Sequence, residues 1–117
     1  MMTYERGDIV LVLFPDSNLR IAKRRPVLIV QSDSLSTGLN QTIVAMVTSN
    51  LSRANHPSRI RVDLQTQEGK QSGLLLPSVI MTDNLATIFH AAIDRKIGRW
   101  LKMEDVEIAL AHTFAMP

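Results

Sequence analysis

The chain has 117 residues, 45% of them hydrophobic and 21% charged, and we expect one soluble domain over residues 1–117 with its own core. The formal net charge of +2 is too small to indicate nucleic-acid binding by itself, and the lack of cysteine excludes disulfides and thiolate chemistry. No apolar run approaches the ~20 residues of a membrane helix, and the first residues lack a signal-peptide pattern. We therefore expect a cytoplasmic protein with no membrane partner.

Short β-strands are predicted for most of the chain. Residues 26–31 form a short, mainly apolar run, which is typical of a strand covered on both faces. In residues 59–64, the apolar side chains of Ile60, Val62 and Leu64 alternate with polar ones, as in a half-exposed strand. The predicted strands are residues 7–14, 26–31, 41–48, 59–64, 73–76 and 79–85, with turns or loops between them, including residues 65–72.

The C-terminal tail is the only segment predicted to be clearly helical. Its hydrophobic positions recur at spacings of three and four, at Met103, Val106, Leu110, Thr113 and Phe114. Acidic residues at 104, 105 and 107 lie near its start, where they complement the helix dipole. Short strands followed by one helix predict a mainly β (α+β) fold, in which a small, strongly curved sheet or barrel packs against the helix.

Positive charge is concentrated in arginine and in two parts of the sequence. Nine of the 13 basic residues are arginine, whose planar guanidinium suits phosphate better than a lysine ammonium does. The first group is Arg20, Lys23, Arg24 and Arg25, and the second is Arg53, Arg59 and Arg61. These groups indicate either an anion-binding surface or a solvated basic face, and charge alone does not separate the two.

The chain lacks the familiar motifs of several enzyme classes. It has no glycine-rich phosphate loop, no His-Glu-x-x-His sequence and no paired carboxylates at glycosidase-like spacing, and its three histidines are far apart. A hydrolase built from this chain would work mainly with arginine and hydroxyl groups, with no metal and no cofactor. Metal-free RNA cleavage is a reaction that these groups can catalyse, because the RNA 2′-hydroxyl is the nucleophile and the enzyme needs only to move protons and stabilise charge.

Two segments carry the groups that such a reaction needs. Residues 23–30 place a basic cluster at the mouth of a buried strand, and residues 44–50 end another buried strand in Thr48, Ser49 and Asn50. If the two strands are neighbours, their polar ends meet at one edge of the sheet. The alternative is a solvated strand entrance at Arg24 and Arg25 and a simple turn at residues 48–50.

The same segments belong to an ordered set of motifs that resembles the MazF/PemK toxin family. The motifs are Gly-Asp-Ile-Val-Leu-Val at 7–12 followed by Phe-Pro, Lys-Arg-Arg-Pro-Val-Leu-Ile-Val at 23–30, Val-Thr-Ser at 47–49, Gly-Leu-Leu-Leu-Pro-Ser-Val-Ile at 73–80, Asp-Asn-Leu at 83–85 and Ile-Gly-Arg at 97–99. The resemblance spans nearly the whole chain in the family's order, which makes the set far more specific than any single motif.

The resemblance implies an SH3-like barrel of the MazF/PemK (CcdB-like) type with a C-terminal helix, assembled as a homodimer. It also implies metal-independent, sequence-specific cleavage of single-stranded RNA to a 2′,3′-cyclic phosphate, and a cognate antitoxin that lays a flexible acidic segment over the RNA site. By position, Arg25 would stabilise the phosphorane, Thr48 would bond the scissile phosphate, and Asp83 would serve catalysis or base recognition. The residues expected to bind RNA are Arg20, Lys23, Arg24, Ser49, Asn50, Arg53 and Asn84.

Some points of the resemblance leave alternatives open. Met81 stands where some family members have a catalytic arginine, and Asp83 can equally have a structural role at the end of the sheet. The leucines at 74–76, with Ile80, are either a surface for pairing two copies or part of the core. Two alternative functions remain open. The chain could be a toxin of the same fold that poisons DNA gyrase, or a catalytically silent relative that only binds RNA or antitoxin.

Overall fold

The computed structural model describes residues 3–15 and 22–117 and contains one antiparallel sheet with a C-terminal helix. The six strands are β1 (Asp8–Pro15), β2 (Ala22–Ile29), β3 (Gln41–Thr48), β4 (Arg59–Val62), β5 (Ser78–Phe89) and β6 (Ile93–Arg99). The helices are α1 (Gln67–Gln71) and α2 (Met103–Thr113), and 3₁₀ turns occur at Leu51–Arg53 and His90–Ala92. The strand order is β4-β5-β3-β2-β1-β6, and every neighbouring pair is antiparallel.

The two faces of this sheet carry two hydrophobic clusters. Successive residues of a strand point to opposite faces. Accordingly, Ile9 and Leu28 belong to one cluster, while Val10 and Val27 belong to the other. All of residues 27–30 are buried, which confirms the prediction that this strand is covered on both faces.

The sheet curves around the first cluster. Val62 of β4 lies at one edge of the strand order and Ile9 of β1 lies near the other edge, yet both are fully buried in that cluster. Val106 of α2 closes the same cluster. The predicted mainly β fold with a packed C-terminal helix is confirmed. Phe114 departs from the predicted apolar face, since it follows the helix and is 56% exposed.

Three sequence-based assignments were wrong. Residues 65–72 were predicted as a turn but contain helix α1, whose N-cap Thr66 accepts a hydrogen bond from the backbone of Gly69. Residues 73–76 were predicted as a strand but lie in the loop between α1 and β5, because Gly73 has a φ of +74° that an extended strand does not adopt. Strand β6 was not predicted, since its sequence is mostly charged and shows little alternation.

The loop after α1 lies directly on β6. A Cβ atom added to Gly73 would be 1.9 Å from the carbonyl oxygen of Ile97, and one added to Gly98 would be 2.3 Å from the backbone of Ser72. Only hydrogen fits at these two positions, because the backbone of the loop after α1 and the backbone of β6 lie in direct contact. This contact fixes residues 74–76 beside the sheet surface that bears the candidate site.

A buried carboxylate holds β6 against β1. The side chain of Asp8 is only 3% exposed, and its Oδ1 lies 2.7 Å from Arg99 Nη1 and 3.1 Å from Lys96 Nζ. Its Oδ2 accepts a hydrogen bond from the backbone of Glu5 at 2.8 Å. A carboxylate this deeply buried is stable only when it is paired in this way. Asp8 therefore has a structural role that fixes the strand on which Arg95 lies.

Candidate functional site

A cavity of about 770 Å³ opens between residues 24–26 of β2, the end of β3 and the loop that contains residues 73–76. Its walls come from five strands and two loops, and its polar side chains are those of arginine, hydroxyl and amide residues. The lining residues are Leu11, Arg24, Arg25, Pro26, Met46, Val47, Thr48, Ser49, Asn50, Arg53, Gly73, Leu74, Leu75, Leu76, Ser78, Met81, Asn84, Arg95 and Ile97.

Strands β2 and β3 bring Arg25 and Thr48 into this cavity, Arg25 from within β2 and Thr48 from the end of β3. Val27 pairs with Met46 in the antiparallel ladder. The pairing of β2 with β3 ends there, and Arg25 and Thr48 each lie two residues beyond it on their strands, where both line the cavity. The polar groups of the two segments therefore share one cavity because β2 and β3 are neighbours in the sheet, but Arg24 and Arg25 lie inside β2 and not at a strand entrance as the sequence suggested.

Hydrogen bonds order the loop that follows Thr48. The Thr48 Oγ1 atom accepts a bond from the backbone of Asn50 at 3.1 Å. Asn50 Oδ1 in turn accepts bonds from the Ser52 backbone at 3.1 Å and the Ser52 hydroxyl at 2.7 Å, which caps the 3₁₀ turn Leu51–Arg53. The capped turn places Arg53 on the cavity wall, and Ser49 lines the same wall.

The cavity is cationic and has an apolar floor. Four arginines line it, Arg24, Arg25, Arg53 and Arg95, and within residues 3–15 and 22–117 no aspartate or glutamate does. Arg24 has a partner, since its Nε lies 2.9 Å from Asp94 Oδ2, whereas the other three have no ion-pair partner within the described part of the chain. Apolar side chains lie between these cations, including Leu11 and Pro26. Such a surface suits a ligand with negative charges and flat apolar groups.

Comparison with protein families gives a match over most of the chain. Residues 5–114 match the family described as the PemK-like, MazF-like toxin of type II toxin–antitoxin systems. The chain belongs to this family. A comparison with curated protein sequences gives no significant match.

Solved structures of toxins share the fold of this family member. It is similar to the Mycobacterium tuberculosis toxin MazF-mt6, with 25% identity, a TM-score of 0.73, and coverage of 94% of this chain and 98% of that one. It is also similar to an endoribonuclease in complex with its cognate antitoxin from a mycobacterial species, with 17% identity, a TM-score of 0.76, and 98% coverage of both chains. A MazE–MazF structure from Deinococcus radiodurans matches with 13% identity, a TM-score of 0.74, and coverage of 99% and 100%.

In this PemK-like chain, Asp83 does not line the cavity and is paired with Arg59. Arg59 Nη2 lies 2.8 Å from Asp83 Oδ2, and Arg59 Nε donates to Asp83 Oδ1 at 3.3 Å. These hydrogen bonds hold the pKa of Asp83 below its ordinary value and raise the pKa of Arg59. The carboxylate is therefore ionised and occupied as a hydrogen-bond acceptor. Asn84, the next residue, does line the cavity.

Of the other residues predicted to act at the site, some line the cavity and others do not. Arg24, Ser49, Asn50 and Arg53 line the cavity with Arg25 and Thr48. Lys23 is exposed on β2 but does not line the cavity. Arg20 lies outside the described residues.

Met81 and Arg95 complete the cavity of this toxin-family chain. Met81 lies on β5 and lines the cavity with an uncharged side chain, so this position supplies no cation. Arg95 does supply one, from β6, and the sequence reasoning did not select it. Arg95 lies 70 residues after Arg25, on a strand that the sequence did not predict, and no local sequence pattern marks it as a site residue. Only the pairing of β6 with β1 places it in the cavity.

No metal-binding or membrane-spanning feature is found in the described ranges, 3–15 and 22–117. They contain no group of three or more histidine, aspartate or glutamate side chains arranged to hold a metal ion. They also contain no helix that is long and apolar enough to cross a bilayer.

Proposed function

We propose that this chain is the toxin of a toxin–antitoxin pair and cleaves single-stranded RNA at specific sequences without a metal. The observation that carries the proposal is the cavity that Arg25 and Thr48 line together from neighbouring strands, among further arginines and without an acid from the described residues. A solved structure described as an endoribonuclease from a mycobacterial species has the same fold at 18% identity, which is consistent with this activity.

The proposed reaction uses the nucleophile that RNA itself carries. The 2′-oxygen forms a bond to the adjacent phosphorus, the bond from phosphorus to the 5′-oxygen breaks, and the proton of the 2′-hydroxyl is balanced by one delivered to that 5′-oxygen. The products are a 2′,3′-cyclic phosphate and a 5′-hydroxyl. The Arg25 guanidinium stabilises the additional negative charge of the phosphorane, and the Thr48 hydroxyl donates a hydrogen bond to a phosphate oxygen.

The shape of the cavity favours single-stranded RNA over a duplex. Unpaired bases expose flat faces that stack on or pack against apolar side chains, while the phosphates contact arginine. The floor of Leu11 and Pro26, with Met46 and Met81 beside it, supplies the apolar surface. Asn50 and Asn84 line the same cavity, and their amides are suited to hydrogen bonds with base edges.

A cationic cavity also suits an acidic peptide, so we propose that an antitoxin segment occupies it and blocks RNA. Solved relatives of the fold include complexes described as an endoribonuclease with its cognate antitoxin and as MazE–MazF. Attraction between the arginines of the cavity and the acidic segment accelerates their encounter, and the segment competes with RNA for the same arginines.

We further propose a homodimer formed through the loop beside the cavity. Leu75 is 91% exposed and Leu76 is 59% exposed, which leaves adjacent leucines in contact with water. The prediction that Ile80 belongs to this surface was wrong, because Ile80 is fully buried in the core. Two-fold pairing would cover both leucines with the same surface of a second copy and would bring two cavities side by side.

The test is incubation of the purified protein with a long RNA in EDTA, followed by mapping of the cut ends. We expect discrete cuts that leave 2′,3′-cyclic phosphate and 5′-hydroxyl ends, and no cutting of the same sequence as DNA. Cleavage that requires an added divalent metal would contradict the mechanism. Intact RNA together with inhibition of gyrase supercoiling would indicate a gyrase poison, and intact RNA with tight RNA or antitoxin binding would indicate a silent relative.

A further inference from the structure

Arg95 lies at one end of a row of cavity residues that crosses three strands. Leu11 of β1 pairs with Pro26 of β2 on one side and with Arg95 of β6 on the other. Directly opposed residues of antiparallel strands project from the same face, so the three side chains lie side by side. All three line the cavity. The row therefore forms a floor with two apolar members and a guanidinium at the β6 end.

The charge of Arg95 is not compensated by the acid beside it. Its neighbour Asp94 is paired with Arg24, at 2.9 Å between Nε and Oδ2. Lys96 is paired with the buried Asp8, with 3.1 Å between Nζ and Oδ1. Within the described part of the chain, no carboxylate lies within ion-pair distance of Arg95 itself. An exposed guanidinium in a cavity without acidic lining is suited to an anion supplied by the ligand.

Arg95 lies some distance from the proposed point of cleavage. Adjacent strands are about 4.8 Å apart, so the β2 and β6 backbones are separated by about 10 Å along the sheet, and β3 and β6 by about 14 Å. A stacked nucleic-acid strand advances about 3.4 Å per nucleotide, so a strand crossing this floor places more than one phosphate over it. Arg25 and Thr48 are at the β2–β3 end of this distance and Arg95 is at the β6 end.

We infer that Arg95 binds an RNA backbone phosphate that flanks the scissile one, so that the substrate crosses the cavity floor from β3 to β6. The inference rests on the proposed ribonuclease function and adds to it a direction for the bound strand and a second anchoring point. In this role Arg95 contributes to substrate affinity, and the chemical step remains with Arg25 and Thr48.

The experiment compares Arg95→Ala with Arg61→Ala as a matched control. Arg61 is an exposed arginine on β4 that does not line the cavity, so its removal lowers the net charge equally without touching the proposed path. The substrate is a short RNA that contains a mapped cleavage site, and for binding the attacking 2′-hydroxyl is replaced by 2′-O-methyl. Affinity is measured as a function of salt, and cleavage is measured under single-turnover conditions at saturating protein.

We expect Arg95→Ala to weaken binding by about tenfold, since it removes one charge-assisted contact. The slope of log affinity against log salt should fall by about 0.7, as for one single-strand phosphate contact. The saturating cleavage rate should stay close to that of wild type. Arg61→Ala should leave all three quantities near wild type, and Arg95→Lys should recover most of the affinity. Shortening the RNA from one end only should abolish the difference between wild type and Arg95→Ala.

Two results would overturn the inference. If Arg95→Ala matches Arg61→Ala in affinity and salt slope, Arg95 contacts no phosphate. If the saturating rate falls as far as in Arg25→Ala while affinity is retained, Arg95 lies at the scissile phosphate. Failure of the wild-type protein to bind or cut any RNA is a different outcome, because it removes the proposed function on which the inference rests.

Discussion

Arg59 and Asp83 form a two-point ion pair that connects β4 to β5, with Nη2–Oδ2 and Nε–Oδ1 separations of 2.8 and 3.3 Å. The same guanidinium donates from Nη1 to the backbone oxygen of Arg53 at 3.2 Å. Asp83 thus orients Arg59, and Arg59 in turn holds the 3₁₀ turn that carries a cationic residue of the cavity wall. This geometry supports a positioning role for Asp83.

Replacing Asp83 with Asn should lower stability in a pH-dependent way. Arg59 holds the pKa of Asp83 below its ordinary value, so the ionised pair stabilises the fold fully above the unfolded pKa of about 3.9. That contribution is lost as the pH falls through the lower, folded pKa. Thermal unfolding followed by circular dichroism should show a gap between wild type and variant at pH 7 that closes below about pH 4.

A double-mutant cycle with Arg59→Gln provides the control for this pair. We expect the two single substitutions to be non-additive at pH 7, because each removes the same interaction. In the RNA assay, Asp83→Asn should reduce cleavage far less than Arg25→Ala does. A loss equal to that of Arg25→Ala, with an unchanged melting temperature, would instead assign Asp83 to the chemistry.

Replacing Arg25 with Ala should nearly abolish RNA cleavage. Loss of one preorganised donor to a developing negative charge typically lowers the rate by about 100- to 1,000-fold. Arg25 is exposed, so the melting temperature should change little. Single-turnover cleavage of a mapped site measures the effect, with Arg61→Ala as the control for charge. Retention of more than about a tenth of the wild-type rate would move the main catalytic role to another arginine, with Arg24 next in line.

Replacing Thr48 with Ala should lower the cleavage rate by less than Arg25→Ala does. A neutral hydroxyl makes a weaker hydrogen bond to phosphate than a guanidinium does. The substitution also removes the acceptor for the Asn50 backbone, so part of the effect comes from the loop. Thr48→Ser keeps the hydroxyl and should retain most of the activity in the same assay. Equal losses in the two variants would show that the methyl group, and not the hydroxyl, is what matters at this position.

Replacing Gly73 with Ala should destabilise the protein and disturb the cavity wall. The left-handed backbone alone costs a non-glycine residue on the order of 1–2 kcal/mol. The added Cβ would also meet the Ile97 carbonyl oxygen at 1.9 Å. Gly38→Ala is the matched control, since Gly38 has a φ of +76° with no atom within 4 Å. Urea denaturation should show a clearly larger loss for Gly73→Ala, and equal losses would mean that the contact with β6 is unimportant.

Replacing Leu75 with Glu should convert a dimer to a monomer. The substitution sets two charges against each other in a two-fold interface and leaves the fold intact, because the side chain is 91% exposed. Sedimentation velocity at micromolar concentration distinguishes the two states. Ile108→Glu, on α2 and 69% exposed, places the same charge on another surface and should leave the dimer unchanged. A wild-type protein that is monomeric and cuts RNA at full rate would contradict the proposed assembly.

The sequence determined much of the fold because its local patterns agree with the tertiary packing. The apolar run after Pro26 is buried on both faces, β3 has the predicted bounds of residues 41–48, and the amphipathic tail forms α2. The ordered motifs also indicated the family to which residues 5–114 belong. The position of Thr48 at the end of β3 was also visible from the sequence, whereas Arg25 lies inside β2, which begins four residues earlier than predicted.

Only the tertiary structure decided which charged groups share the cavity. Asp83 and Asn84 are consecutive in sequence, but one pairs with Arg59 and the other lines the cavity, at the point where the register of β5 against β3 shifts between Leu85 and Met81. Arg95 joins the site because β6 pairs with β1, a contact between residues more than 80 positions apart. No local pattern encodes such pairings, since they arise from the way the whole sheet curves around one core.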